Sequence, residues 1–110
     1  MSDAPLGAFE EQVLLAVLRT DRDAYGMAVR REIEDVTGRD VSIGAVYATL
    51  DRLEAKGLLT SDRATGTGSR RVFAVTRTGI AALAETRGMR RRLWHGVDLD
   101  ALIGEMRGEV

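Results

Sequence analysis

The side chains best suited to bind phosphates or base edges are concentrated in one part of the sequence. Residues 63–92 contain eight arginines and one glutamate, a net charge of +7, whereas the whole chain has a net charge of −1. Residues 1–40 have a net charge of −4. Arginine guanidinium groups bind phosphates and guanine edges in a planar, bidentate geometry. The uneven charge therefore predicts a surface suited to nucleic acid, which the total charge does not indicate.

The segment before this basic stretch predicts a helix with two different faces. It reads VYATLDRLEAKGLL at residues 46–59. Ser42 is suited to cap its N-terminus, and Gly57 is suited to end it. The apolar residues recur at helical spacing and form one stripe: Ile43, Val46, Leu50 and Leu53. The other positions are small or polar and are expected to face away from that stripe: Gly44, Ala45, Ala48, Thr49, Arg52 and Lys56, with Tyr47 at the boundary.

Helical periodicity also predicts two helices before this one. AFEEQVLLAVLRT places apolar residues on one face of the first: Phe9, Val13, Leu14, Val17 and Leu18. AYGMAVRREIEDVTG does so for the second: Tyr25, Ala28, Val29, Ile33 and Val36. Gly38 stands where a helix stop is preferred. Gly26 lowers helix propensity at the start of the second helix, which suggests that a neighbouring backbone approaches it closely.

The rest of the sequence predicts a hairpin and two helices. Residues 58–63 and the alternating segment SRRVFAVT read as paired strands joined by a flexible ATGTG turn. Thr76 or Thr78 can cap a helix that runs to about Trp94, and VDLDALIGEMRGEV can form a small amphipathic helix.

This order of elements predicts a mainly α fold with a small β-hairpin, a winged helix-turn-helix. In such a fold the third helix lies in the major groove of DNA, and the hairpin reaches the backbone or the minor groove. We expect a winged helix-turn-helix DNA-binding part over residues 1–77 and a C-terminal dimerisation helix and tail over residues 78–110.

Several functional classes find no support in the sequence. There is no cysteine, so a disulfide framework and a thiol nucleophile are excluded. The N-terminal MSDAPLGAFEEQ lacks the basic-then-apolar order of a signal peptide, and the apolar runs are far shorter than a bilayer span. His95 is the only histidine, and no ligand spacing suggests a metal site. We expect a soluble cytoplasmic protein that is not an enzyme and has no cofactor or metal.

Candidate DNA contacts begin at the N-terminus of the third helix. Ser42, Gly44 and Ala45 are small, and the positive end of the helix dipole lies beside them, so a phosphate could approach closely. The alternative is a plain helix start in which Ser42 serves only as the cap. Tyr25 opens the second helix and could hold a phosphate through its hydroxyl. The alternative for Tyr25 is packing against the first helix.

Four more candidates lie further along the third helix. Tyr47 could pack its ring and present its hydroxyl to a phosphate, or be a core tyrosine with a solvated tip. Thr49 and Arg52 are candidates for base contacts. Lys56 is a candidate for a phosphate contact or a solvated charge. The alternative for Arg52 is an ion pair with one of three acids: Glu32, Glu34 or Asp51.

The predicted hairpin contributes Arg70 and Arg71. Gly66 and Gly68 make its turn adaptable, so that the arginines can be brought to DNA. Neighbouring residues of a strand point to opposite faces. We therefore expect one of the two arginines to contact DNA and the other to face solvent or form an ion pair.

Two long segments contain spaced motifs in a distinctive order. The segments are AYGMAVRREIEDVTGRDVSIGAVYATLDRLEAKGLL and GSRRVFAVTRTGIAAL. The motifs are AYG, S-x-G-x-VY-x-x-L-x-R-L-E-x-x-GL and RR-x-x-x-x-T-x-x-G. In this the sequence resembles the PadR family of bacterial transcriptional regulators, over about residues 6–85. It departs from the family after Arg70 and Arg71, the arginines of the hairpin, or wing. An aromatic pair usually follows these wing arginines, whereas here the residues are Val72, Phe73 and Ala74.

The resemblance implies a homodimer that binds a palindromic operator in double-stranded DNA, usually as a repressor. It implies a DNA-facing tyrosine at Tyr47 and release of DNA when a small hydrophobic or phenolic effector binds. The effector site is not identifiable from the sequence. The resemblance also implies dimerisation through the C-terminal helix, for which four residues are candidates: Ile80, Leu83, Leu93 and Trp94.

Two alternatives to a DNA-binding regulator remain at this stage. One is a winged helix that serves as a protein-interaction module without reading DNA sequence. The other is a ligand sensor that has lost its DNA-binding role. A protein-only module has no need of a +7 segment beside a hairpin, and the basic residues of the third helix and hairpin are intact, so the sequence favours DNA binding.

Overall fold

The fold was analysed in a computed structural model, which describes residues 6–63 and 70–108. The predicted fold class is confirmed, because the chain is mainly helical with one antiparallel two-stranded hairpin in the described ranges. The turn predicted around Gly66 and Gly68 lies outside the described residues. The elements are α1 (Ala8–Thr20), a 3-10 turn (Asp21–Asp23), α2 (Gly26–Thr37), α3 (Ile43–Ala55), β1 (Leu59–Arg63), β2 (Arg71–Val75), α4 (Arg77–Trp94) and α5 (Leu99–Gly108).

The hydrophobic core lies where α1, α2 and α3 meet the hairpin. Each of the three helices contributes its predicted apolar stripe, and Leu59 and Phe73 close the core from the strands. The prediction that Leu18 and Val36 belong to the buried stripes is wrong, because Leu18 is 44% exposed and Val36 is 59% exposed. Both lie at the edge of a stripe, where each lines an open surface groove instead of entering the core.

The turn between α2 and α3 is held by side chains of α2. Gly38 has a φ of 71°, in the left-handed region that favours glycine, and ends α2 as predicted. Arg30 Nε donates to the carbonyl oxygen of Val41 at 2.8 Å, and a carboxylate oxygen of Glu34 accepts from the Val41 amide at 3.0 Å. Both polar groups of Val41 are therefore satisfied by α2, which fixes how α3 departs from the turn.

Thr76 joins the start of α4 to the end of α3. Of the two threonines considered as caps, Thr76 is the one used, because its hydroxyl accepts from the Gly79 amide at 3.0 Å. The same hydroxyl donates to the carbonyl oxygen of Gly57 at 2.7 Å, and the Thr76 amide donates to that of Leu58 at 3.1 Å. One residue therefore caps a helix and closes the base of the hairpin.

The hairpin is attached to the loop that precedes α2. In its register Ser61 lies opposite Phe73. The Phe73 amide donates to the carbonyl oxygen of Ala24 at 2.8 Å, so the outer edge of β2 bonds to that loop. This places the first residues of β2 beside the N-terminus of α2.

The C-terminal helices contribute little to the core. Gly79 and Thr86 are the buried residues of α4, and the described residues of α5 include none. Hydrogen bonds attach α4 to α1 and to the segment before it: the Leu6 amide donates to Thr86 Oγ1 at 3.2 Å, and Arg90 Nε donates to a Glu11 carboxylate oxygen at 3.0 Å. The Cα radius of gyration is 17.1 Å, whereas a compact chain of 100 residues has about 13 Å. The C-terminal helices therefore project from the core.

We expect Gly79→Ala to destabilise the fold. A Cβ at this position would overlap the carbonyl oxygen of Leu58 and lie 2.7 Å from Val75 Cγ1. Backbone cannot move aside as a flexible side chain can, so the cost should be about 1–3 kcal/mol or more. Denaturant unfolding measures this. Gly104→Ala is the matched control, because a Cβ there meets nothing within 4 Å; it should be neutral or stabilise by up to about 1 kcal/mol. Equal effects of the two variants would contradict the packing argument.

Candidate nucleic-acid interface

The N-terminal half of α3 presents a narrow, exposed surface of small residues. Gly44, Ala45 and Ala48 are all exposed. Ser42 caps the helix as predicted, with its side-chain oxygen accepting from the Ala45 amide at 3.1 Å. The first amides of a helix have no intrahelical partner, so those of Ile43 and Gly44 remain available to a ligand at the positive end of the helix dipole. This surface could admit a phosphate or a base edge without steric obstruction.

The prediction that Thr49 faces away from the apolar stripe is wrong. Its side chain is 3% exposed. Thr49 stands three residues after Val46 and four before Leu53, so helical spacing places it on the buried face. Its hydroxyl lies 3.3 Å from Arg52 Nη2, which satisfies it inside the protein. Thr49 therefore cannot contact a base in this arrangement.

Tyr47 lies against the first residue of α2. A Cβ added to Gly26 would overlap the Tyr47 ring, lying 2.6 Å from one ring carbon. The close approach that Gly26 was expected to allow is therefore that of an aromatic side chain and not of a backbone. The ring is partly exposed, at 38%. Tyr47 thus packs between α2 and α3 while it remains accessible from the small-residue surface.

A single carboxylate on α1 binds both basic residues in the C-terminal half of α3. A Glu10 carboxylate oxygen lies 2.8 Å from Lys56 Nζ and 3.5 Å from Arg52 Nε. The Gly7 amide also donates to Glu10, at 3.0 Å. The hydrogen bond from Lys56, followed by that from the Gly7 amide, holds the pKa of Glu10 below its ordinary value of 4.5.

The ion pair considered as the alternative for Arg52 is therefore present, but with Glu10 and not with Glu32, Glu34 or Asp51. Glu10 lies on another element more than forty residues away, and only the tertiary fold brings it here. Arg52 and Lys56 are half exposed, so a phosphate could compete for them. In the free protein both are directed towards α1.

The two wing arginines have different surroundings, as strand alternation predicts. Arg71 turns towards α3, where its guanidinium lies 3.0 Å from Asp51 and 2.7 Å from Glu54. It also lies over the buried Phe73 ring, 4.9 Å from its centroid. Two carboxylates neutralise Arg71, so its role in the free protein is to join the hairpin to α3.

Arg70 points the other way and stacks on Tyr25. The Arg70 guanidinium carbon lies 4.2 Å from the centroid of the Tyr25 ring, a close cation–π contact. Tyr25 is the N-cap residue of α2 and is partly buried. Arg70 is exposed. Of the two arginines, Arg70 is the one available to a ligand.

Sequence reasoning missed Glu10 and Arg31. Arg31 lies on α2 with its guanidinium carbon 6.0 Å from the Tyr25 centroid and Nη2 3.5 Å from the Tyr25 hydroxyl. No motif or periodicity marks either residue, because each is defined by partners on other elements. The capping position of Glu10, three residues after Gly7, was the one local indication that it has a structural role.

The residues predicted for dimerisation line an open surface on α4. Ile80, Leu93 and Trp94 are 47%, 69% and 54% exposed. Leu83 is partly buried and lines a groove between α1 and α4 of about 270 Å³. Three apolar residues of α5 are also exposed: Leu99, Leu102 and Met106.

Residues 6–63 and 70–108 contain no group of three or more potential metal ligands. Within the same residues, no helix is both long and apolar enough to cross a bilayer.

The PadR-like family of transcriptional regulators matches residues 14–85, about two thirds of the chain. The chain belongs to this family. The family is one of transcriptional regulators, which agrees with the expectation of a winged-helix protein that is not an enzyme.

Individual relatives support the same assignment. The chain is 43% identical over 68 residues to the transcriptional regulator Rv3488 of Mycobacterium tuberculosis, and the match covers 61% of this chain and 63% of that protein. The chain thus matches less than two thirds of that relative's length. Among solved structures, a PadR family regulator from Eggerthella lenta is 29% identical, with a TM-score of 0.65 and coverage of 77% of this chain and 76% of that one.

A more distant structure shares the fold. F93 from STIV, a winged-helix DNA-binding protein, superimposes with a TM-score of 0.69 at 17% identity, covering 84% of this chain and 98% of that one. The E. lenta regulator and F93 each superimpose on most of this PadR-like chain. Family membership favours the regulator over a winged helix used only for protein interaction.

We expect Lys56→Met to raise the pKa of Glu10 towards its ordinary value. The main cause of its lowered pKa is the Lys56 hydrogen bond, and the Gly7 amide and the charge of Arg52 should account for the lowering that remains. Carboxyl-carbon NMR titration of both proteins measures this. An unchanged Glu10 pKa would mean that Lys56 is not bound to it in solution.

The lowered pKa of Glu10 also determines how the stability of the fold depends on pH. Because the pKa of Glu10 is lower in the folded than in the unfolded protein, its contribution to stability is complete above pH 4.5. That contribution is lost as the pH falls through the folded-state pKa. Glu10→Gln should therefore cost a few tenths to about 1 kcal/mol of unfolding free energy at neutral pH, since Lys56 and Arg52 are half exposed. The cost should shrink towards zero in acid.

Proposed function

We propose that this PadR-like protein is a homodimeric repressor that binds a palindromic operator in double-stranded DNA and is released by a small hydrophobic or phenolic effector. The observation that carries this proposal is the exposed surface of Gly44, Ala45 and Ala48 at the N-terminal end of α3. Two tyrosines and an exposed wing arginine flank it. Small residues on a helix beside adaptable polar groups fit a helix that enters the major groove.

The proposed DNA contacts fall into three groups. The amides of Ile43 and Gly44, between Ser42 and Ala45, approach a phosphate or base edge at the start of α3. Tyr47 directs its hydroxyl to the backbone while its ring rests on Gly26. The hairpin and the start of α2 contribute Arg70 and Tyr25.

Three of the basic residues predicted to contact DNA have indirect or conditional roles in this proposal. Arg71 acts indirectly, by joining the hairpin to Asp51 and Glu54 of α3. Arg52 and Lys56 contact DNA only if phosphates displace them from Glu10, so they are phosphate contacts and not base readers. Base readout then depends mainly on the exposed N-terminal half of α3.

We assign residues 1–77 to DNA binding and residues 78–110 to dimerisation. Apolar residues of α4 and α5 are exposed, yet α4 is eighteen residues long with two buried residues. In proteins, a helix gains most of its stability from packing an apolar face. A second copy that covers Ile80, Leu83, Leu93 and Trp94 would supply that packing.

The groove between α1 and α4 is the proposed effector site. Its apolar lining comes from Leu15, Leu18, Ile80 and Leu83, and its polar groups are Glu11 and Arg87. Ile80 and Leu83 also belong to the proposed dimer surface, so the second copy would form one wall of this site. An apolar lining with a few polar groups is the usual composition of a small-molecule site. Since Glu11 also binds Arg90, a ligand here would act on the contact that orients α4 against α1.

Selection from random-sequence duplex DNA tests the proposed function. Purified protein at moderate salt should enrich an inverted repeat with half-sites about one helical turn apart. A bound pool that matches the input would show that the protein does not read sequence. The enriched duplex can then be titrated with phenolic acids, which should release it at concentrations that leave the fold intact. Retention of DNA with every compound would contradict the effector part of the proposal.

Leu93→Glu should weaken dimerisation. Burial of a leucine side chain contributes about 1.5–3 kcal/mol, and two copies lose it, so the dimer dissociation constant should rise by about 100-fold or more. Sedimentation over a concentration series measures this. Val36→Glu is the matched control, because Val36 is similarly exposed but lies on α2. If both variants or neither change the dissociation constant, α4 is not the dimer surface.

A further inference from the structure

We propose that Arg31, Tyr25 and Arg70 form a clamp for backbone phosphates of one DNA strand at the junction of α2 and the hairpin. This inference rests on the proposed DNA-binding function and adds Arg31 as a contact residue. It also assigns Tyr25 the role of positioning two guanidinium groups, in place of a single phosphate contact through its hydroxyl.

The two guanidinium groups share one aromatic ring. Arg70 lies 4.2 Å and Arg31 lies 6.0 Å from the Tyr25 centroid. Their guanidinium carbons are therefore at most about 10 Å apart. Arg31 Nη2 also lies 3.5 Å from the Tyr25 hydroxyl, which is the outer limit of a hydrogen bond. The ring thus gathers two cations that come from different elements.

In the part of the chain that the structure describes, neither of these guanidinium groups forms an ion pair with a carboxylate. Seven ion pairs join basic residues to acids in the described part of the chain, and neither Arg31 nor Arg70 takes part in any of them. By contrast, the neighbouring Arg71 has two acidic partners. Two like charges held together repel each other, and the negative face of one ring offsets only part of this. An anion beside both guanidinium groups would neutralise the cluster.

The backbone positions the clamp before any ligand binds. The hydrogen bond from the Phe73 amide to the carbonyl oxygen of Ala24 fixes β2 beside the start of α2. Tyr25 follows Ala24 directly, and Arg70 precedes β2 directly, so each is adjacent in sequence to the fixed region. Arginine loses less side-chain freedom on binding when stacking already orients its planar group. The site is therefore preorganised for planar, bidentate contact with phosphate oxygens.

The location fits the backbone of DNA. Tyr25 precedes Gly26, on which the Tyr47 ring of α3 rests, so the clamp lies beside the small-residue surface of α3. A duplex that enters against α3 would bring its sugar–phosphate backbone towards α2 and the hairpin. The ligand is thus a DNA phosphodiester, bound without regard to sequence.

The salt dependence of binding tests the clamp. The wild type, Arg31→Ala, Arg70→Ala and the double variant are titrated with the selected duplex, or with a mixed-sequence duplex, over a series of salt concentrations. Each lost phosphate contact lowers the slope of log K against log salt by about 0.9, so a dimer should lose about 1–2 units for either single variant. The double variant should lose less affinity than the product of the single effects predicts, because the residues share a ligand.

Tyr25 variants separate positioning from structure. Tyr25→Phe keeps the ring under Arg70 but removes the hydroxyl near Arg31, so it should retain most of the affinity. Tyr25→Leu removes the stacking surface and should weaken binding by about 10-fold while both charges remain. Denaturant unfolding confirms that each variant is folded. Equal affinity of Tyr25→Leu and the wild type would overturn the positioning role.

The controls distinguish this clamp from net charge and from the proposed function. Arg107→Ala removes the same charge from α5, and its slope should match the wild type. A slope loss equal to that of Arg70→Ala would assign the effect to net charge and overturn the clamp. If the wild type binds a duplex and Arg31→Ala keeps the wild-type slope, the clamp fails while DNA binding stands. If the wild type binds no duplex, both fail.

Discussion

The hydrogen bond from the Phe73 amide to the carbonyl oxygen of Ala24 determines how the whole interface is arranged. A two-stranded hairpin is marginally stable alone and needs further packing to hold its position. Here the outer edge of β2 bonds to the loop before α2, and Phe73 is buried in the core. Once β2 is fixed this way, strand alternation sends Arg71 towards α3 and leaves Arg70 over Tyr25. The environments of both wing arginines follow from one backbone contact.

Carboxylates decide which cations of this surface are available. Glu10 holds Lys56 and Arg52 at one end of α3, and Asp51 and Glu54 hold Arg71 along its side. The small-residue surface at the N-terminus of α3 is exposed, and Arg31 and Arg70 carry no such ion pair in the described part of the chain. In the proposed complex, the acids of α1 and α3 would therefore do more than balance the net charge, because they would direct phosphate binding away from the C-terminal end of α3. Desolvating an exposed ion pair costs little, so strong binding could still recruit the paired residues.

The sequence predicts the elements of this protein better than its contacts. Apolar periodicity, caps and strand alternation are local, and they correctly place the helices, the hairpin, Ser42, Gly38 and the divergence of the two wing arginines. Leu18 and Val36 were assigned to the core because helical spacing does not say how wide the buried stripe is. Thr49 is an avoidable error, since its spacing from Val46 and Leu53 already indicated the buried face.

Contacts across elements are where sequence reasoning ends. The ion pair of Arg52 with Glu10 and the approach of Arg31 to Tyr25 beside Arg70 depend on how α1, α2 and the hairpin are oriented, which no local pattern encodes.

The exposed apolar residues of α4 and α5 have a consequence for how transcription responds to the concentration of the protein. In the proposed dimer, few dimers form at low copy number, and their concentration then rises with the square of the monomer concentration. Operator occupancy would change more steeply than the amount of protein, so a modest change in synthesis would act as a sharp threshold on transcription.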